Sequence, residues 1–171
     1  NKYIMCLMEF TYKKNDNIEL FKSVCCSESI GVTSPQNYNP LYETFFSLSD
    51  NNSNLISLNN KNNLTQVKNK ITNNNYLCNI DGVEKEVFFK YSPLIDPSKY
   101  IIGKYDIDDS RLLQLPCFGS TESNAKTRDP NNAAYVDGFF AYLSSQLLHT
   151  HNFVHALDFY GSFLGNKTNF E

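Results

Sequence analysis

The sequence predicts an α+β fold, an antiparallel sheet carrying one long helix, and three observations predict it. Two apolar runs, "NYLCNI" and "EVFFKY", flank Asp81-Gly82, and Asp-Gly between two such runs is a strong hairpin signal. Further on, "AAYVDGFFAYLSSQLLH" spaces its apolar residues three and four apart, the period of a helix of about 17 residues. Behind that helix, "FVHALDFYGSFLG" alternates well enough to be a strand, and "KTNFE" would begin the next. Strands and a helix in this order stack as a sheet covered by a helix.

Taken in order, the elements begin with "YIMCLMEF" (residues 3–10), a short buried strand bounded by polar residues. "NDNIELFKSVCCS" reads as a helix, with Asp16 as cap and Glu19 three residues on at capping-box spacing. Ile18, Phe21, Val24 and Cys25 then share a face. "NPLYETFFSL" repeats the logic, with Asn39 as cap and Pro40 in the first helical position. Residues 50–75 are nearly half asparagine, a composition that buries little apolar area. They read as a surface connection, with "NLISL" and "TQVKNKI" as one or two edge strands. After the hairpin, "SPLIDPSKYIIGKYD" is extended and punctuated by prolines, and "TESNAKTRDPNN" is a polar loop. The long helix starts from Asn131 or Asn132 as cap and turns Val136, Phe139, Phe140, Leu143, Leu147 and Leu148 to one side. Gly138 weakens it by roughly 1 kcal/mol relative to alanine, a cost that close approach of a neighbour would explain. The chain so divides into an N-terminal strand-helix-helix extension (1–49), an asparagine-rich connection (50–75), and the sheet-and-helix part (76–171).

Composition narrows the function classes. A net charge of −3 and a pI near 5.6 offer no basic stripe for nucleic acid. No apolar run approaches the ~18 residues of a membrane-spanning helix. The five cysteines include an adjacent pair, Cys25 and Cys26, and no C-x-x-C, so reduced thiols in a cytosol-like compartment fit better than disulfides or a zinc site. Three N-x-S/T triplets, at Asn51, Asn63 and Asn166, are what chance gives in so asparagine-rich a chain. The sequence opens without Met and stops in mid-pattern, as a piece of a longer protein would.

A hairpin with an internal lysine, a connection, a long helix and a further strand form an order that resembles the small N-terminal lobe of a protein kinase. "HNFVHALDFYGSFLGNKTNFE" is similar to the turn after the kinase helix C and the strand that follows it. "FFKYSPLIDPSKY" and the long-helix segment also resemble uncharacterised kinase-like proteins of the giant nucleocytoplasmic DNA viruses. The resemblance covers residues 76–171. It implies that Lys90 anchors ATP phosphates, that an acid on the long helix orients it, and that the full-length protein uses ATP and Mg. It also implies, as partner, a second lobe of the same chain or another protein, in host cytoplasm or virion. Three features depart from the kinase pattern, one being that the Asp-bearing catalytic loop and the metal-binding Asp-Phe-Gly belong to a second lobe that these residues do not include. "VKNKITNNNYL", where a glycine-rich loop would lie, has no glycine, and the helix offers Asp137 in place of a glutamate. The alternative is a non-catalytic α+β module, pseudokinase-like or unrelated, with an interaction or virion role.

Lys90 therefore carries two readings. On a half-solvated strand its stem would cover phenylalanine rings while its ammonium stays in water. Alternation places Phe88 and Lys90 on one face, and Val87, Phe89 and Tyr91 on the other. In the kinase-like reading, Lys90 and Asp137 pair and line a cleft. His149, His151 and His155 raise the question of a metal, but no fixed carboxylate or Cys is expected beside them, and zinc needs three or four convergent ligands.

Overall fold

The computed structural model describes residues 10–27 and 30–168. The chain is a mixed α+β protein whose paired strands are all antiparallel. Three small sheets take the place of one: β1 (Tyr12–Lys14) with β3 (Ile56–Leu58), β2 (Val32–Gln36) with β7 (Leu164–Lys167), and the trio β4 (Leu64–Lys70), β5 (Asn75–Ile80) and β6 (Val83–Phe88). The helices are α1 (Ile18–Cys26), α2 (Pro97–Ile101), α3 (Ala125–Arg128) and the long α4 (Ala133–His151). The expected strand at residues 3–10 lies outside the described residues, apart from Phe10.

The hairpin forms as the sequence predicts. Asp81 and Gly82 both take positive φ, 47° and 90°, as a two-residue turn matched to strand twist requires. Asn79 Oδ1 accepts a hydrogen bond from Gly82 N at 2.7 Å and braces the turn. The turn fixes the register from Ile80 opposite Val83 to Asn75 opposite Phe88. That register also explains why the strand stops at Phe88, short of Lys90. Beyond Asn75 the partner strand turns back, with Ile71 N and Thr72 N both donating to Asn75 O, and the pairing past Phe88 is reduced to the bond from Phe89 N to Asn74 O at 2.7 Å. Alternation nevertheless persists: Val87 is buried and Phe89 and Tyr91 pack on the same core, while Phe88 faces solvent.

In the N-terminal part, α1 is present with a different cap and face. Asn17, in the left-handed region, is the N-cap, and Asp16 Oδ1 accepts from Ile18 N at 3.2 Å. Leu20 and Val24 are buried, whereas Ile18 and Cys25 are exposed. Asn39 caps as expected, accepting from Leu41 N at 3.0 Å, but Pro40–Thr44 is a single 3₁₀ helix. Beyond it Phe46 packs against the core and meets Tyr12 at 4.9 Å, while Phe45, itself exposed, stacks on Phe139 at 4.7 Å.

Two cores result. One joins α1 to the three-stranded sheet through Leu20, Val24, Val32, Val67, Tyr76, Cys78 and Ile80. The other joins α4 to β3 and the 3₁₀ helix through Tyr135, Phe139, Tyr142, Ile56, Leu58, Leu41 and Tyr42. The asparagine-rich stretch thus supplies Ile56, Leu58 and Val67, each at most 4% exposed, where composition predicts a surface connection. Its edge-strand character holds for β4, which borders its sheet. Segments expected to be extended or looped also gain short helices, since Asp96 and Asn124 side chains cap α2 and α3.

The long helix is capped by Asn132, whose side chain accepts from Ala134 N and donates to Leu94 O and Lys126 O. Only part of the predicted face is buried: Phe139 is in the core and Leu143 packs against it, while Val136, Phe140 and Leu147 are exposed and Tyr135, Tyr142 and Ser145 point inward instead. The helix is turned by about one residue, roughly 100°. Tyr135 and Tyr142 join Phe139 on the inner face in place of Phe140, and Tyr135 gains a buried partner by donating to Thr127 O at 2.6 Å. It also covers β3 rather than the hairpin sheet that packs Phe89. A Cβ at Gly138 would meet nothing within 4 Å, so no neighbour's close approach explains that glycine. Among the described residues, no helix is long and apolar enough to cross a membrane.

Candidate functional site

Lys90 follows β6 by two residues and owes its direction to its neighbours. The Phe89 ring lies tilted against Tyr76 at 4.8 Å, and the Tyr91 hydroxyl lies 3.0 Å from that of Tyr76, so both rings are held inward. Burial, followed by the Tyr76 hydrogen bond, pushes the Tyr91 phenol well above its usual range and keeps it neutral. With its neighbours fixed inward, Lys90 has to point out. Asp137, in the second turn of α4, meets it there: Nζ to Oδ2 is 2.6 Å.

The structure therefore brings together the two residues that the sequence singled out. It does so at the surface, with the lysine side chain 64% and the aspartate 44% exposed. Neither residue lines the cavity beside Tyr42 and Ile56 or the one beside Ser34 and Asn166. A pair so exposed to water attracts weakly, contributing about 0–1 kcal/mol. An ammonium held by one carboxylate still has two donors to offer an anionic ligand, such as a phosphate oxygen.

No family model, curated protein or solved structure matches the chain.

A second polar cluster gives His149, raised in the sequence as a metal ligand without a fixed carboxylate, such a carboxylate in Asp158. Asp158 Oδ1 lies 2.7 Å from His149 Nε2, and its Oδ2 accepts from Asn62 Nδ2 at 2.7 Å. Ser145 Oγ, fully buried, is 3.5 Å from Oδ1 and accepts from Phe159 N. Burial alone would raise the Asp158 carboxyl. The hydrogen bonds from His149 and Asn62, with the His149 and Lys85 charges, outweigh burial and hold it below the ordinary carboxylate value. The cluster pins the segment after α4 against the helix and the β3–β4 turn. The other two histidines go elsewhere: His151 Nδ1 contacts the Thr150 hydroxyl, and His155 meets the Phe153 ring. Among the described residues, no group of three His, Cys, Asp or Glu converges to hold a metal. Cys25, Cys26, Cys78 and Cys117 are free thiols, and burial pushes the Cys78 thiol up to about 11.

Proposed function

We propose that residues 76–171 form the nucleotide-contacting lobe of a kinase-like protein, with Lys90 as the phosphate anchor and Asp137 as the acid that orients it. One observation carries this reading: the 2.6 Å contact between Lys90 and Asp137. The kinase resemblance calls for a hairpin lysine held by an acid of the long helix, and Asp137 is the one acid in the α4 sequence. An ATP phosphate fits the exposed ammonium. Mg does not fit here, since the described residues around Lys90 provide no convergent acids. Phosphoryl transfer would need a catalytic aspartate and metal-holding acids that these 171 residues do not supply in kinase form. Titrating the protein with a fluorescent ATP analogue tests the anchor. Lys90→Met is expected to weaken binding by about tenfold or more. Equal affinity in the wild type and Lys90→Met overturns the assignment.

A second reading is favoured by the exposure of the same pair and by the apolar residues Val136, Phe140 and Leu147 left outside α4. In it the chain is a non-catalytic interaction module, and α4 presents an outer face to a protein partner. Absence of ATP-analogue binding by the wild-type chain would favour this reading.

A further inference from the structure

A cavity of about 310 Å³ lies between β2, the segment 113–123 and β7, away from Lys90 and Asp137. Local irregularities build it. The pairing of β2 with β7 shifts register between Thr33 and Gln36, and within that break Ser34 has φ +50°, a left-handed conformation uncommon for serine. Such breaks re-aim side chains, and here Ser34 and Asn166 line the cavity from the sheet. Opposite them, Gln36 Nε2 donates to Pro116 O at 2.8 Å and holds the 113–123 segment in place. That segment turns at Gly119, φ +70°, with Ser120 N donating to Cys117 O.

Ser123 closes the cavity on this side. It is 5% exposed, and its hydroxyl has no hydrogen-bond partner. Buried hydroxyls in native proteins are nearly always satisfied, so an orphan lining a cavity points to a missing ligand. The rest of the lining gives that ligand its chemistry. Ser34, Gln114 and Asn166 are neutral groups that both donate and accept, and Glu122 is the one charged lining residue. Among the described residues, no Lys, Arg or His lines the cavity, so a phosphate or carboxylate would meet the repulsion of Glu122. Among the described lining residues, no aromatic ring offers a stacking platform for a base. Adjacent hydroxyls, each donating and accepting at once, match amides, hydroxyls and a carboxylate together. Leu113 and Leu115 provide apolar contact for the carbon skeleton.

We propose that this cavity binds a small uncharged polyol through its vicinal hydroxyls, whether a free monosaccharide or the ribose of a nucleoside. The volume suits a ligand of this size. This inference is independent of Lys90, which is not part of the cavity.

Cys117 supplies the readout. It is exposed and lines the cavity, whereas Cys25 and Cys26 are exposed on α1 and serve as internal controls. Iodoacetamide labelling, resolved by peptide mass spectrometry, would be run with glucose, ribose, adenosine and 2′,3′-dideoxyadenosine. Occupancy is expected to slow alkylation of Cys117 and leave Cys25 and Cys26 unchanged. Protection by glucose or ribose identifies a free sugar. Protection by adenosine but not by its dideoxy form identifies a nucleoside. Ser123→Ala, and separately the exposed Gln114→Ala, should raise the concentration needed by about tenfold. The Gln114 variant keeps the test valid should Ser123→Ala misfold. No protection by any compound, or protection by dideoxyadenosine as strong as that by any hydroxylated compound, overturns the proposal.

Discussion

Asp158 shows how much a single carboxylate can organise. It ties α4 to the β3–β4 turn through His149 and Asn62, partners 9 and 96 positions away. Its pKa is lower in the folded chain than in the unfolded one, so ionised Asp158 stabilises the fold above the unfolded value of about 3.9, and that stabilisation is lost as pH falls through the lower folded value. Denaturation midpoints measured from pH 6 down to about 3 should therefore fall more steeply for the wild type than for Asp158→Asn. Parallel curves would show that Asp158 is not held below its ordinary value. Lys90 should behave in the opposite manner. Its ion pair is exposed, so Lys90→Met is expected to change unfolding stability by less than about 1 kcal/mol, which separates any loss of nucleotide binding from loss of fold. The contact of Lys90 with Asp137 was legible in the sequence because a strand lysine and a helix acid are each conspicuous. The Asp158 cluster was not, because one partner is an asparagine among many, in a stretch whose composition predicts no tertiary role.

At the scale of elements, α4 separates what periodicity can show from what it cannot. Its existence, its cap at Asn132 and nearly its whole length follow from residue spacing. Its rotation does not, because two adjacent faces are both apolar and hydrophobic spacing cannot rank them. Packing decides, through the rings of Phe10 and Phe45 that meet Phe139. Neighbouring phenylalanines give the test. Phe139→Ala should cost about 3–5 kcal/mol in urea unfolding. Phe140→Ala, 67% exposed, should stay within about 0.5 kcal/mol. Equal losses would place the helix on the predicted face after all. The hairpin is the converse case. Its turn fixes the register completely, but the end of β6 depends on where β5 begins, which no residue within "EVFFKY" encodes.

At the scale of the whole molecule, asparagine takes on work that composition does not foretell. Asn54 Oδ1 accepts from the backbone N–H groups of Asn37 and Tyr38, and Asn37 Nδ2 donates to the carbonyls of Asn15 and Asn54. Asn37 and Tyr38 are buried, so Asn54→Ala would strand two buried donors at about 1–3 kcal/mol each. A drop of at least about 2 kcal/mol in unfolding free energy is expected. Limited proteolysis offers a coarser check. β3 and β4 should resist cleavage as well as β5 and β6 do, since their apolar residues are shared between the two cores. Early cutting within 56–58 or 64–70 would mean that these strands are not held as the cores require. The α+β class was legible because hairpin and helix carry strong local signals. The split into three sheets was not, since strands of three to five residues pair with partners far along the chain.

The pairing of β2 with β7 also sets a clock on folding. Thr33 and Asn166 become partners across 133 positions, and Gly165 lies so close beneath Val32 that a Cβ there would come within 2.5 Å of its side chain. Contacts that distant in sequence form late, because the chain between them must be ordered before they give anything back. On a ribosome adding about 5–20 residues per second, β2 emerges on the order of ten seconds before the strand that completes it. Throughout that interval Ile30 and Val32 belong to an unfinished core with an open strand edge, so the nascent chain is most prone to aggregation while it is still being made.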